Sequence, residues 1–217
     1  MRPFKAYLID QKDGKTVAGF AQLSEDQFDQ GEVTLKVAYS SVNYKDALAA
    51  TGAGRIIRRH PCVGGIDMAG IGVAHHGGYA EYGRVPADWV VPLPKGMSLF
   101  DAMALGTAGY TAALGIVRME ENGLKPSNGR VVVSGATGGV GSIAVDILSC
   151  LGYDVVALTG KESQAEYLKG LGAKEVMLRA SLDLAKIKPL DRALWAGAVD
   201  NLGGEVLAWM ASTMQQN

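Results

Sequence analysis

The chain has 217 residues and a net charge of −1, with 48% hydrophobic and 20% charged residues. Because the charge is near neutral and no stretch is strongly basic, we do not expect nucleic-acid binding. No apolar run approaches the ~18 residues of a membrane span, and the first ten residues lack the apolar segment of a signal peptide, so we expect a cytoplasmic protein.

The first half of the chain is predicted to form antiparallel β structure. Three stretches, "FKAYLID", "VAGFAQL" and "EVTLKVAYSSV", are enriched in β-branched and aromatic residues with rough alternation. Pro92 and Pro94 then end the strand pattern, and a helical pattern follows from Ser98. We place a domain boundary near Gly106, which predicts one domain over 1–106 and another over 107–217.

The second half alternates regularly between strand and helix patterns. Strands are predicted at 130–134, 154–159, 175–178 and around 195–200, and helices at 139–151, 162–171 and 203–214. Such alternation is typical of a parallel sheet flanked by helices, so the fold class is α/β.

A glycine-rich turn joins the first of these strands to the first helix. A turn in this position presents unpaired backbone N–H groups at the positive end of the helix dipole, which suits a diphosphate. The alternative is a tight strand-to-helix turn without a ligand. The predicted cofactor-binding residues of the turn are Gly135, Thr137, Gly138, Gly139, Val140 and Gly141.

The second strand of this half ends where the adenosine ribose of a dinucleotide lies. An NAD site places a carboxylate there, whereas this chain has Thr159, Gly160 and Lys161, which offer a hydroxyl, an open backbone and a cation to a 2′-phosphate. Arg179 follows the third strand and is the other candidate ligand. The sequence therefore predicts NADP(H), although each cation taken alone fits a solvated surface charge.

Five motifs in order along the chain resemble the zinc-independent acryloyl-CoA reductase branch of the medium-chain dehydrogenase/reductases, which were often first named quinone oxidoreductases. They are "SSVNYKDALA", "GIDMAG", "GGYAEYGRVPADWVVPLP", "GTAGYTAALGI" and "WAGAVDNLGG". The resemblance implies a GroES-like β domain followed by a Rossmann domain. It also implies hydride transfer from C4 of NADPH to the β-carbon of an enoyl thioester such as acryloyl-CoA.

The resemblance also implies roles for individual residues. Tyr44 would contact the nicotinamide end of the cofactor, Asn43 and Asp46 would shape the substrate side, and Asn201 would bind the cofactor. Asn43 is equally suited to cap the short helix predicted there. The "GRIIRRHP" stretch is interpreted as a solvated loop, and the alternative is that Arg55, Arg58 and Arg59 bind a CoA phosphate.

No catalytic metal is expected. Zinc-dependent relatives carry a Cys ligand near the first motif and Gly-His-Glu at the second, but this chain has Asn43 to Asp46 and Gly65-Ile66-Asp67 there. Cys62, His75 and His76 are interpreted as incidental. Without a Lewis acid, conjugate reduction is favoured over carbonyl reduction.

The chain is shorter than the family pattern in two places. After Gly70 a passage of β structure is missing, and family members continue beyond Asn217 with the rest of the Rossmann sheet. The leading hypothesis is an enoyl-CoA reductase. A quinone or enone reductase is an alternative because acceptor choice depends on pocket shape, and a non-catalytic NADPH-binding fragment is favoured if these segments are deleted. A homodimer is expected only if the chain is longer than the sequence printed.

Overall fold

The computed structural model describes residues 2–68, 75–189 and 191–215. The chain divides into two compact units, Met1–Thr107 and Ala108–Asn217. The assignment of one unit to the substrate and the other to the cofactor stays a prediction. The predicted shortening after Gly70 lies outside the described residues.

The described part of the first unit contains five strands, helix α1 and the start of helix α2, and it confirms the predicted antiparallel β structure. A three-stranded sheet has the order β2-β1-β4, and a two-stranded sheet pairs β3 with β5. The hairpin between β1 and β2 turns at Asp13 and Gly14, both at positive φ, which matches the right-handed twist of the strands. The elements are β1 (Phe4–Lys12), β2 (Lys15–Leu23), β3 (Val33–Lys36), α1 (Tyr44–Thr51), β4 (Cys62–Val63) and β5 (Tyr82–Val85).

Helix α2 (Leu99–Glu121) is interrupted at Gly106, whose φ of 46° and ψ of −152° are non-helical. By length and composition alone, this helix is apolar enough to cross a membrane. The expectation that no apolar run approaches such a length was therefore wrong. Beyond the break, however, Gly109, Ala112 and Ile116 are buried, and Ala112 and Ile116 belong to the core of the second unit.

The second unit is a parallel four-stranded sheet with the order β8-β7-β6-β9 and helices on both faces. In strand β6, residues 131–134 are buried, and successive valines face opposite sides of the sheet: Val131 and Val133 pack with α3, and Val132 packs with α5. The predicted α/β fold is confirmed, with element ends within a few residues of those expected. The elements are β6 (Arg130–Ser134), α3 (Gly139–Cys150), β7 (Asp154–Thr159), α4 (Ala165–Gly170), β8 (Glu175–Leu178), β9 (Gly197–Val199) and α5 (Gly204–Ser212).

Candidate functional site

The glycine-rich turn links the carboxyl end of β6 to the amino end of α3. Gly135 has a φ of 57°, a left-handed conformation that favours glycine, and the Gly138 N–H donates to its carbonyl at 2.9 Å. A Cβ on Gly141 would lie 2.8 Å from Cα of Ala136 and closer still to the Gly135 carbonyl oxygen. Gly141 therefore lets the helix pack directly against the turn, as the sequence indicates.

Gly138 and Gly139 are exposed on the outer side of this turn. Gly138 is the N-cap of α3, and a Cβ there would meet only the Gly135 carbonyl oxygen, at 3.3 Å. The first backbone N–H groups of a helix have no partner within the helix, so they are available to an anion at this point. The side chain of Val140 packs on the core, so a ligand would reach its backbone. The geometry fits a diphosphate group.

The turn is held from the side by the segment that follows β9. Asn201 donates from its backbone N–H to Ser134 Oγ at 2.9 Å and from its side-chain amide to the Ser134 carbonyl at 2.8 Å. The Ser134 hydroxyl in turn donates to Asp200 at 2.6 Å. Sequence reasoning missed Ser134, the last residue of β6, and Asp200, which follows β9; the two orient this segment.

The residues predicted to bind a 2′-phosphate lie at the ends of β7 and β8. Gly160 and Arg179 line the same open depression of about 390 Å³, together with Glu162, Leu178 and Ala180. Arg179 also lines a neighbouring depression of about 250 Å³ against the start of α5. The structure thus brings Gly160 and Arg179 together.

Thr159 and Lys161 are placed differently from each other. Thr159 is 2% exposed, and its hydroxyl accepts the Lys161 N–H at 3.0 Å, so it closes the local turn. Lys161 is exposed next to the depression. Their contacts with a cofactor stay predictions.

In the first unit, Asn43 is the N-cap of α1, as its residue type predicts. Its backbone N–H donates to Asp46 Oδ2 at 2.8 Å. The Asp46 carboxylate is buried and also accepts the Ile66 N–H at 3.0 Å and the Tyr79 hydroxyl at 3.1 Å. Tyr44 is 79% exposed. Asp46 therefore holds the start of α1, while the ring of Tyr44 is open to a ligand.

Asp67 is a buried carboxylate that sequence reasoning did not assign to the site. Its Oδ2 accepts the Asn43 side-chain amide at 2.7 Å and the Ser41 hydroxyl, and its Oδ1 accepts the Thr107 N–H at 2.9 Å and hydroxyl at 2.6 Å. Burial acts to raise the pKa of Asp67, but the hydrogen bonds from Ser41, Thr107 and Asn43 outweigh it and lower the pKa below its usual value. The signal in the sequence was an acidic residue inside the apolar "GIDMAG" motif.

Cys62, His75 and His76, which the sequence analysis interprets as incidental, lie in a separate polar group around Asp29. Arg59 makes a bidentate pair with its carboxylate, and His75 Nδ1 lies 3.4 Å from it. His76 Nδ1 accepts the Val63 N–H at 2.9 Å, and burial lowers the pKa of His76. Burial raises the pKa of the Cys62 thiol.

These contacts decide which basic residues of the "GRIIRRHP" stretch remain free to bind an anion. Arg59 is engaged with Asp29, whereas Arg55 and Arg58 are exposed. Within residues 2–68, 75–189 and 191–215, no three His, Cys, Asp or Glu side chains are grouped as metal ligands. Both oxygens of Asp67 are occupied by N–H and O–H donors, so the second motif does not fit a zinc ligand set.

No family model matches the chain. The "Probable acrylyl-CoA reductase AcuI" of Escherichia coli is 45% identical over 97% of this chain and 71% of its own length. The "Acrylyl-CoA reductase AcuI" of Ruegeria pomeroyi is 42% identical over 98% and 72%. The "Putative quinone oxidoreductase YhfP" of Bacillus subtilis is 46% identical over 89% of this chain and 65% of its own length.

The solved structures point to the same group of proteins. The yhdH oxidoreductase of Salmonella enterica, in complex with NADP, has a TM-score of 0.90 and 44% identity over 97% of this chain and 71% of that chain. The Bacillus subtilis protein yhfP, with NAD bound, has a TM-score of 0.93 and 43% identity over 99% and 72%. The aligned stretch of 232 residues with the Escherichia coli relative is longer than this chain, so that relative has residues inside it that this chain lacks.

Proposed function

The chain belongs to the medium-chain dehydrogenase/reductase superfamily, within its acrylyl-CoA reductase and quinone oxidoreductase branch, and from this we propose that it is an NADPH-dependent enoyl-thioester reductase. The observation that carries the proposal is 45% and 42% identity to two relatives named as acrylyl-CoA reductases. The substrate class is a small activated alkene such as acrylyl-CoA, a thioester whose carbonyl accepts negative charge when the β-carbon receives a hydride.

The second unit holds the cofactor in this proposal. NADPH, when bound, supplies a hydride from C4 of its nicotinamide. The N–H groups at the start of α3 bind its diphosphate, and the open side of Gly138 leaves room for close approach. Arg179 and Lys161 offer cations to the 2′-phosphate, with Gly160 leaving the backbone open between them. Asn201 supports the turn from beside Gly135.

The first unit supplies the residues predicted to meet the reacting groups. Tyr44 offers an exposed aromatic ring to the nicotinamide. Asn43 offers a polar side chain to the substrate, while Asp46 fixes the start of the helix that carries both. We assign Asp46 a positioning role because its carboxylate oxygens are already bonded to internal donors.

The reaction proposed here uses no metal. Hydride addition to the β-carbon leaves an enolate that hydrogen bonds stabilise, and protonation at the α-carbon completes the reduction. Of the "GRIIRRHP" arginines, Arg55 and Arg58 are the ones left for a CoA phosphate, since Arg59 is bound to Asp29.

A quinone or enone reductase is the second candidate, and the 46% identity to the Bacillus subtilis relative favours it. Steady-state kinetics with NADPH and either acrylyl-CoA or a simple quinone separate the two. We expect the higher kcat/KM for acrylyl-CoA. A much higher kcat/KM for the quinone would reverse the order of the two candidates.

A non-catalytic NADPH-binding protein is the third candidate. Mixing the protein with NADPH and acrylyl-CoA in a single-turnover experiment decides this question, because a binding protein would hold NADPH without oxidising it. We further propose a cytoplasmic location and a homodimer, the latter for a chain of family length. Sedimentation of such a chain as a monomer would contradict the homodimer.

A further inference from the structure

Two buried carboxylates hold Asn43 from opposite ends of the residue. Asp46 accepts its backbone N–H at 2.8 Å, and Asp67 accepts its side-chain N–H at 2.7 Å. The Ser41 hydroxyl lies 3.2 Å from the same amide nitrogen and also donates to Asp67. These bonds therefore hold the backbone of Asn43 and the side chains of Ser41 and Asn43.

This arrangement determines which end of the Asn43 amide faces outward. An ionised carboxylate only accepts hydrogen bonds, so the amide must turn its nitrogen towards Asp67 and its oxygen away. Tyr79 adds a third restraint, since its hydroxyl lies 3.0 Å from the Ser41 carbonyl oxygen and 3.1 Å from Asp46 Oδ2 and shares its one hydrogen between these two acceptors. The neighbouring side chains of Val42 and Tyr44 are 84% and 79% exposed, so their positions depend on the backbone of residues 41–44 that carries them.

We propose that Asp67 is a positioning residue for the reduction, which holds Ser41 and Asn43 so that the Asn43 amide oxygen and the Tyr44 ring are presented in one fixed arrangement. The proposal rests on the proposed function for its catalytic part. It assigns Asp67 no contact with substrate or cofactor, because among the described residues its carboxylate is hydrogen-bonded to Ser41, Asn43 and Thr107. Thr107 anchors the carboxylate beside the helix break at Gly106.

The variant Asp67→Asn tests the orientation directly. It nearly preserves shape but places an amide in the carboxylate's position. If the new amide keeps its oxygen on Thr107, its nitrogen faces the nitrogen of Asn43, and the Asn43 amide must rotate. The matched control is Asp88→Asn, an exposed aspartate of the same unit that makes the same charge change.

Three measurements on the whole chain give the expected results. Hydrogen exchange in a peptide covering 41–46 should accelerate about tenfold in Asp67→Asn and stay at the parental rate in Asp88→Asn. The kcat/KM for acrylyl-CoA should fall about tenfold or more, the effect of losing one charge-assisted hydrogen bond. Affinity for adenosine 2′,5′-bisphosphate, a probe of the adenosine end alone, should remain unchanged.

A double-mutant cycle with Asn43→Ala shows whether Asp67 acts through Asn43. We expect Asn43→Ala to add less than about twofold to the loss in kcat/KM once Asp67→Asn is present. Fully additive losses, or parental exchange in 41–46, would overturn the proposal. If Asp67→Asn does not fold, Ser41→Ala replaces it as the test. This variant removes one of the four hydrogen-bond donors to the Asp67 carboxylate and should change the exchange rate and kcat/KM in the same directions, but by less. If the unmutated protein does not turn over acrylyl-CoA, the proposed function is refuted. The hydrogen-exchange rates by themselves would then decide whether Asp67 positions residues 41–46.

Discussion

Two glycine-to-alanine changes in the turn before α3 separate a structural requirement from a ligand-binding one. In Gly141→Ala the new methyl lies 2.8 Å from Cα of Ala136, and in Gly138→Ala it meets only the Gly135 carbonyl oxygen, at 3.3 Å. The φ of Gly138 is −81°, which any residue adopts. The first variant therefore strains the fold, and the second extends into the space available to a ligand.

The sizes of the two effects follow from these distances. Carbon atoms normally approach to about 3.5–4.0 Å, so Gly141→Ala requires a backbone shift on the order of 1 Å. Overpacking of this kind costs about 1–3 kcal/mol, which lowers Tm by several degrees. Gly138→Ala should leave Tm nearly unchanged but weaken NADPH binding at least about tenfold, or ~1.4 kcal/mol, because the methyl occupies the place of the diphosphate.

Thermal unfolding and a fluorescence titration with NADPH measure the two effects on the same samples. Gly115→Ala is the control, because a Cβ there meets nothing within 4 Å and the residue lies inside α2. It should bind NADPH like the parent and gain about 0.5–1 kcal/mol of stability. Parental NADPH affinity in Gly138→Ala would refute the assignment of this turn to the diphosphate. A parental Tm in Gly141→Ala would refute the packing argument.

Three further predictions concern charge and burial. Lys161→Glu and Arg179→Glu should each lower the preference for NADPH over NADH about ten- to a hundredfold, measured as the ratio of the two Kd values. An unchanged ratio in both variants would show that neither residue binds the 2′-phosphate. Burial acts to raise the pKa of Asp29, but the Arg59 guanidinium that it binds holds this pKa below its ordinary value. The ionised Asp29 carboxylate therefore contributes stability above the unfolded pKa of about 3.9, and this stability is lost as pH falls through the folded pKa. Urea unfolding of Asp29→Asn should accordingly lose less stability than the parent between about pH 5 and pH 3; an equal loss would contradict this. Tyr153→Phe removes a buried hydroxyl that lies 3.0 Å from Glu120 Oε1 and 3.2 Å from the Leu124 carbonyl oxygen, and burial raises the pKa of this hydroxyl to about 12. The change should cost about 1 kcal/mol in urea unfolding, whereas the exposed Tyr167→Phe should cost little. Equal costs would show that the hydrogen bonds of the Tyr153 hydroxyl contribute nothing.

The α/β order of the second unit and its glycine turn were predictable because the signals are local. The run of valines in β6 predicts a strand buried on both faces, and the glycines that follow it predict a tight turn into α3. The requirement for glycine at position 141 was also predictable, since it depends on contacts with residues only a few positions away. Helix α2 was less predictable, because its pattern continues through the break at Gly106.

The contacts that organise the candidate site were decided by tertiary structure. Asp67 reaches Asn43 across 24 positions and Thr107 across 40, and Asn201 reaches Ser134 across 67. No local periodicity carries such pairs, because they exist only after strands and helices from distant segments have packed together. The sequence by itself determined which segments form strands, helices and the glycine-rich turn, through side-chain pattern and backbone freedom. Only the folded chain determined that the acidic residue of "GIDMAG" is buried, and that its carboxylate holds Asn43, because burial and partner geometry depend on the packing of the whole unit.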